Sequence, residues 1–433
     1  MTRQGKATPN NVKIALVGCG AIAERYHLPA LLNNPATRGG ITLVDTNEDR
    51  VAVLAKQHGI ARYATDYRSL PGSVDGAIIA APPFAHHDIA VHFLSQGAHV
   101  LCEKPLAESP AEAAAMVAAA EAAGVTLSVN QTRRLFPTFG AIRELIACGD
   151  LGELLRIDHV EGCDFDWPAA SPFHFAPSAR GVLSDVGVHV IDLVCWWLGK
   201  RPELVESLND SAGGPEAMAL VRLKSDRCEI SIHLSRLGRM ANRFRIEGEL
   251  GVIEAGHEDW SEVVVRYNDG RRKRLRPACT AKAYTDFAKP IVDNLVGVIR
   301  GAAAPVISAA SVLPAIDLLE EAYEQAAPFD APWNHWLKPQ ATSLPSDAPL
   351  RVLVTGASGF VGSRLVEAMS MTGAAVPVAA IRQWARAARA ARRPVDFALC
   401  DILDRGSLAH ALQDVDAVVH CAYDGGADTI VNG

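Results

Sequence analysis

Three groups of residues in this chain have the types and spacing to do chemistry. Gly18, Gly20 and Ala23 follow the apolar run VKIALVG in a G-x-G-x-x-A pattern, with Ile22 inside it. Such a turn lets a pyrophosphate approach bare backbone, with the N–H groups and positive dipole end of the next helix behind it. Glu103 and Lys104 follow a second apolar run, AHVLC. A lysine in that place is a usable base, because desolvation and a neighbouring oxidised nicotinamide both lower an ammonium pKa. Asp185, His189 and Asp192 are spaced i, i+4 and i+7, so one helix face carries all three. Oxidising a secondary alcohol needs a hydride acceptor, a base for the hydroxyl proton and groups that position the carbinol carbon. These three groups match those needs.

The elements that must position them are also legible. GITLVD reads as the second strand and ends in Asp45. A carboxylate there binds both ribose hydroxyls of NAD and repels the 2′-phosphate of NADP. Thr46, Asn47 and Glu48 supply no cation to offset it, so the expected cofactor is NAD rather than NADP. VDGAIIAAPP is a strand closed by prolines, Pro82 among them, and HHDIAVHFLSQG has the spacing of an amphipathic helix with a glycine stop. SPAEAAAMVAAAEAAG is a helix with a Ser109 cap, Pro110 in its first turn and Gly124 at its end. VTLSVNQ is the last strand of this half, and its Asn130 can hydrogen-bond cofactor or substrate. Behind Asp185 and His189, the face with Val182, Leu183, Val190, Val194 and Trp197 is built for burial. Asp192 reads better as a buried partner than as a functional group. A metal at D-x-x-x-H is a further option, but no other feature calls for one, and none is expected.

Composition bounds the rest. The chain has 433 residues, 49% hydrophobic and 21% charged, enough for two to four globular domains. A net charge of -7 argues against a nucleic-acid partner, because a phosphate backbone demands a basic face. The run RRKRLR follows YNDG, a hairpin signal, and reads as the solvated face of a strand. No apolar stretch suits a signal peptide or a bilayer span, so no membrane partner is expected. The nine cysteines form no C-x-x-C pair, which suits a reducing cytoplasm.

Taken with the APPFAH strand end, EKP at 103–105, GDLGELLRIDHVEG and RGVLSDVGVHVIDLVCWWLG, the pattern resembles the glucose–fructose oxidoreductase/inositol dehydrogenase (Gfo/Idh/MocA) family over residues 11–337. The resemblance implies an NAD(P)-dependent oxidoreductase acting on a sugar, cyclitol or related polyol. It implies an α/β protein with an N-terminal Rossmann domain, then an α/β domain whose open, mainly antiparallel sheet forms a homo-oligomer interface. It places His86 near the nicotinamide and makes Asp185 and His189 substrate contacts, with His189 able to share acid–base duty. The family commonly has one arginine where this chain has Arg133 and Arg134, and either can correspond.

A second glycine pattern opens at 351: RVLVTGASGFVGSRLVE, with Gly356, Gly359 and Gly362. It resembles the extended short-chain dehydrogenase/epimerase family. Asp401 matches a position that contacts adenine, and Arg382 stands where Asp45 does in the first domain, so weak binding here would lean towards NADP. The family's Tyr-x-x-x-Lys is missing, since Tyr423 is followed by DGGA. The chain ends where such a domain is about half built, so this stretch is expected to be an incomplete, catalytically silent fusion partner. The expected bounds are 1–131 for the NAD-binding domain, 132–337 for the substrate domain, 338–349 for a linker and 350–433 for the incomplete unit. The expected activity is NAD-dependent hydride transfer at a sugar or polyol carbon, with Lys104 and His189 as acid/base candidates. A non-catalytic NAD-sensing scaffold and a pyrrole or imine reductase are the alternatives; substrate loops such as DFDWPAASPFHFAP leave the substrate open.

Overall fold

A computed structural model describes residues 11–70, 72–165, 167, 172–329 and 349–423. Most of the expected linker, part of the DFDWPAASPFHFAP loop and the residues after Tyr423 lie outside them. The chain forms three sheets. The first holds β1 (Ile14–Val17), β2 (Ile41–Val44), β3 (Tyr63–Ala64), β4 (Gly76–Ile79), β5 (His99–Cys102) and β6 (Leu127–Val129). Its strands are all parallel, in the order β3-β2-β1-β4-β5-β6. The runs IALV of β1 and GAII of β4 are wholly buried, as strands covered on both faces require. The order reverses between β1 and β4, and crevices for ligands open at such switch points, beyond the carboxyl ends of the strands.

The cover of this sheet comes partly from far along the chain. The helix Ala288–Ile299 packs its Ile291, Val292 and Leu295 against Ile14, Leu16 and Ile78. Ile307, Val312 and Ile316 pack on the opposite face with Ile79 and Val100. Residues 288–316, expected as part of the second domain, therefore complete the first.

The second sheet is formed by β7 (Leu154–Gly162), β8 (Glu203–Asn209), β9 (Met218–Ser225), β10 (Cys228–Ser235), β11 (Arg243–Gly248), β12 (Gly251–Gly256), β13 (Val263–Tyr267), β14 (Arg272–Leu275) and β15 (Ala327–Pro328). Its order is β14-β13-β12-β11-β7-β10-β9-β8-β15, with all pairs antiparallel except β7 with β10 and β8 with β15. One face packs on the helices Pro137–Ala147, Val188–Leu198 and Leu313–Glu324. The other shows charge to solvent, including Arg222, Lys224 and Glu229. RRKRLR falls in the β13–β14 hairpin as expected, and Lys273 pairs with Asp150 at 2.9 Å. Among the described residues no helix is long and apolar enough to cross a membrane.

The third sheet, β16 (Arg351–Thr355), β17 (Val376–Ile381), β18 (Asp396–Leu399) and β19 (Ala417–His420), is parallel in the order β18-β17-β16-β19. It does not stand apart. Phe175 and Leu237 of the second domain share a hydrophobic cluster with Val354, Ala387 and Ala391. Arg392 Nη1 lies 3.1 Å from Asp210 Oδ2, and the Arg392 carbonyl accepts from Ala212 N and Gly214 N. A Cβ on Gly214 would stand 2.0 Å from the Ala391 oxygen, so only glycine allows this close approach.

Candidate functional site

Each residue expected to bind the cofactor follows the carboxyl end of a strand in the first sheet. Gly18 leaves β1 with φ +91°, and a Cβ there would meet the Ala80 carbonyl oxygen at 2.5 Å. The loops after β1 and β4 thus touch at the switch point. Gly20 differs, because a Cβ there would find nothing within 4 Å. Its bareness serves no packing in the protein and leaves backbone open to a phosphate. Ala23 is fully buried at the start of the following helical segment, Ala23–His27, while Ile22 is partly buried. Asp45 accepts from Cys19 N at 2.7 Å and Asn47 N at 2.9 Å, which fixes its carboxylate beside the glycine turn. These residues fit a dinucleotide with its pyrophosphate at Gly20 and a ribose at Asp45.

The surroundings of Asp45 include a cation that a reading of its next three residues misses. Arg50, one helical turn along, donates from Nε to the Cys19 carbonyl at 2.8 Å and pairs with Glu24 at 2.6 Å. Its charge is matched by Glu24, but it is present.

Glu103, His86 and Asn130 each have partners within the protein. Glu103 is buried and accepts from His27 Nε2 at 2.6 Å and Asn130 Nδ2 at 2.7 Å. Burial alone would raise its carboxyl, but hydrogen bonds from His27 and Asn130 and the charges of His27 and Lys104 outweigh it and hold it below the usual carboxylate range. Asn130 Oδ1 in turn accepts from Thr132, which receives the hydroxyl of Tyr284 at 3.1 Å. His86 is fully buried, with Ala81 O and Pro105 O each 2.9 Å from a ring nitrogen. It ties the loop after β4, which includes Pro82, to the loop after β5. Both nitrogens face carbonyls, and burial lowers its pKa against the pull of those carbonyls.

Lys104 meets the second domain. Its Nζ donates to Asp185 Oδ1 and to the Asp185 carbonyl oxygen, both at 2.7 Å. The other carboxylate oxygen of Asp185 accepts from Arg236 at 2.8 Å. Burial opposes the charge on Asp185, but Lys104 and Arg236 hold its carboxyl far below the usual range. With both oxygens given to cations, Asp185 is not available as a metal ligand beside His189. Among the described residues, no group of three metal-binding side chains occurs.

Asp185 sits in a π-helical turn, Leu183–Gly187, that runs into the helix Val188–Leu198. That turn is held from outside: Glu216 accepts from Gly181 N and Leu183 N, and Tyr323 receives Ser184 N. Below it, His189 is buried and its Nδ1 donates to Gln131 Oε1 at 2.7 Å. Burial, then the charges of Lys104 and Arg133, push its pKa well below the usual value. Because Nδ1 faces an amide oxygen it carries the proton, which makes Nε2 the acceptor of the uncharged ring. Asp192 faces away and pairs with Arg134 at 2.5 Å, both side chains being buried. Burial raises the Asp192 carboxyl and Arg134 only partly offsets it. The three polar residues thus have separate tasks.

The two arginines separate in the same way. Arg134 belongs to Asp192 and Ser311. Arg133 makes a two-pronged pair with Glu161 at 2.7 and 2.6 Å and lines a cavity of about 450 Å³ with Phe136, His257, Trp260, Lys282 and Tyr284. Glu161 also accepts from His159 at 3.0 Å, and these charges hold it well below the usual range against burial. Sequence reasoning missed Gln131, Glu161 and Arg236, although a signal existed for two of them. In β7, Ile157, His159 and Glu161 alternate inward, and in β10 the inward set Ile230, Ile232, Leu234 continues to Arg236. Charged residues on a buried face need a purpose.

In the C-terminal unit, Gly356 has φ +67° and lies against Cys421 and Ala422, and Gly362 stands over the Gly356 carbonyl. Arg382 follows β17, and Asp401 accepts from Leu403 N at 3.0 Å in the loop after β18. Tyr423 is exposed.

Residues 12–131 match a family model described as an oxidoreductase family with an NAD-binding Rossmann fold, and residues 139–284 match the GFO/IDH/MocA C-terminal domain. Residues 352–431 match the NAD-dependent epimerase/dehydratase family. The rhizopine catabolism protein MocA of Rhizobium meliloti is 27% identical over 324 residues, covering 72% of this chain and 94% of that protein. Inositol 2-dehydrogenase of the same species is 22% identical over 326 residues, covering 73% and 97%. An oxidoreductase from Agrobacterium radiobacter, solved with NAD+, L-tartaric acid and magnesium, superposes with a TM-score of 0.64 at 22% identity over 73% of this chain and 96% of that one. At that identity the superposition speaks for the fold.

Proposed function

Because this chain belongs, through residues 12–284, to the Gfo/Idh/MocA family of NAD(P)-dependent oxidoreductases, we propose that it interconverts a secondary alcohol and a carbonyl on a sugar, cyclitol or sugar derivative, with NAD as the preferred cofactor. Relatives named for inositol and for 1,5-anhydro-D-fructose support the substrate class. NAD bound along Gly18, Gly20 and Asp45 supplies the hydride acceptor or donor. Lys104 carries the proton of the reacting oxygen, and Asp185 aims its Nζ. Neutral His189 accepts a hydrogen bond from a substrate hydroxyl through Nε2, while Gln131 fixes its tautomer. The cavity lined by Phe136, Trp260, Tyr284 and Arg133 suits a polyhydroxylated ring.

One observation carries this reading: the Lys104 ammonium, in the loop after β5 of the first sheet, donates at 2.7 Å to Asp185, four positions before His189. The test is a steady-state assay of the full chain with NAD and NADP over a panel of inositols, aldoses, anhydrosugars and sugar acids, read as reduced nicotinamide absorbance. Turnover with none of them in either direction would sink the proposal.

A further inference from the structure

The C-terminal unit was expected to be a silent passenger, but its contact surface leads to the first site. Trp384 stacks on Phe175 of the second domain, with ring centroids 6.1 Å apart and planes 13° from parallel. Phe175 meets Phe165 edge-on at 5.5 Å. The Phe165 ring lies under the Arg236 guanidinium, 4.7 Å from its centroid. Arg236, 5% exposed, then holds Asp185, and Asp185 holds Lys104. Arg236 also keeps a buried Nε without a partner among the described residues, and among them its guanidinium is held by the Asp185 carboxylate and the Phe165 face.

We propose that the C-terminal unit sets the geometry of Lys104 through this row of side chains, with Arg236 as the positioning residue. A guanidinium over an aromatic ring is stabilised only while the ring stays beneath it. If Phe175 loses Trp384, Phe165 gains room to tilt, Arg236 loses its base, and Asp185 is freed at one oxygen. The carboxylate can then rotate and take Lys104 with it. Trp384 is three residues past the end of β17, where it opens a 3-10 turn, Trp384–Arg386, in the connection at the carboxyl end of the third sheet. Movement of that turn is thereby felt about the Lys104 ammonium. Packed neighbours can carry such coupling, but only a measured interaction establishes it.

The experiment uses the full chain and reads Lys104 directly, by the rate of its acetylation with acetic anhydride followed by peptide mass spectrometry. Trp384→Ala should speed labelling of Lys104 several-fold, with other lysines unchanged, and Trp384→Phe should restore the slow rate. Arg236→Lys should label as fast as Trp384→Ala, and the double variant should be no faster than either. Phe165→Leu, which keeps volume but removes the ring face, guards against misfolding of the alanine variant and should also speed labelling. Unchanged labelling in Trp384→Ala and Phe165→Leu overturns the proposal, as do additive effects in the double variant. The inference rests on Lys104 acting in the proposed reaction. If labelling changes as expected while turnover on the polyol panel does not, the coupling stands and the acid/base role of Lys104 falls.

Discussion

Lys104 and Asp185 lie 81 positions apart in the chain, yet two hydrogen bonds of 2.7 Å join them, one to the side chain and one to the backbone of Asp185. This contact bridges the first sheet and the second domain where cofactor and substrate must meet. Lys104→Ala should lower turnover by about two decades or more, as expected when an acid/base group is lost. NAD affinity should change little, because Gly20 and Asp45 are untouched. Steady-state kinetics with a parallel NAD titration decides it. A variant that turns over normally would give the proton to His189 or to water.

The cofactor preference is read at Asp45. NAD should bind the full chain more tightly than NADP, since a 2′-phosphate would face the Asp45 carboxylate. Asp45→Ser with an arginine beside it should narrow the gap. Arg50 sharpens the test: Glu24→Gln, which removes its partner, should also favour NADP. Equal affinities in the unaltered protein would contradict the assignment.

Gly20 separates folding from binding. Gly20→Ala should melt at the temperature of the parent, because its methyl group meets nothing within 4 Å, and should lose NAD binding. Gly18→Ala should fail at both, with φ at +91° and the Ala80 carbonyl in the way. Melting curves with and without NAD distinguish the two.

Asp192 should prove structural. Asp192→Ala strands Arg134 in a buried place and should cost about 3 kcal/mol of stability, as removal of one partner of a buried pair does. Turnover per folded molecule should stay close to that of the parent. A large fall in turnover without a loss of stability would return Asp192 to the active site.

Stability should fall as pH drops below about 6.5. Burial depresses the pKa of His86, His159 and His189, so the unfolded chain takes up protons that the folded one refuses. Each such histidine can contribute a slope of up to about 1.4 kcal/mol per pH unit below its unfolded value. The depressed carboxylates Glu103, Glu161 and Asp185 act in a lower window, losing their contribution as pH falls below the ordinary carboxylate range. Denaturant melts at pH 7.5 and 5.5 span the histidine window, in which the raised carboxyl of Asp192 acts in the opposite sense. His189→Gln should flatten the slope, and an unchanged slope would mean that His189 takes up its proton alike in the folded and unfolded chain.

The first sheet and its glycine turn were legible because local rules suffice there. A buried strand, G-x-G-x-x-A and a helix leave few alternatives, and Ser109 and Gly124 cap their helix as read. Lys104, Asp185 and His189 could be singled out because charge stands next to apolar runs. Gln131 could not, since its purpose appears only when the loop after β6 is brought beside the helix Val188–Leu198, and the inward run of β10 marks Arg236 as buried without saying what it holds. Arg133 and Arg134 show the same gap: adjacent in sequence, they point to Glu161 and Asp192, and only the fold says which is which. The spacing of Asp185, His189 and Asp192 predicted a shared face but not that π-helical geometry begins it.

The return of residues 288–316 to the first sheet has a temporal consequence. The ribosome finishes β6 at Val129, but Ile316, which closes the cover over β4 and β5, emerges 187 positions later. At roughly 5–20 residues per second, the nascent chain carries a six-stranded sheet with part of both faces bare for on the order of ten to forty seconds. In that interval Ile14, Ile78 and Val100 have no native partner to cover them from the late helices, and whatever shields nascent chains in the cell must do so until the last of those helices arrives.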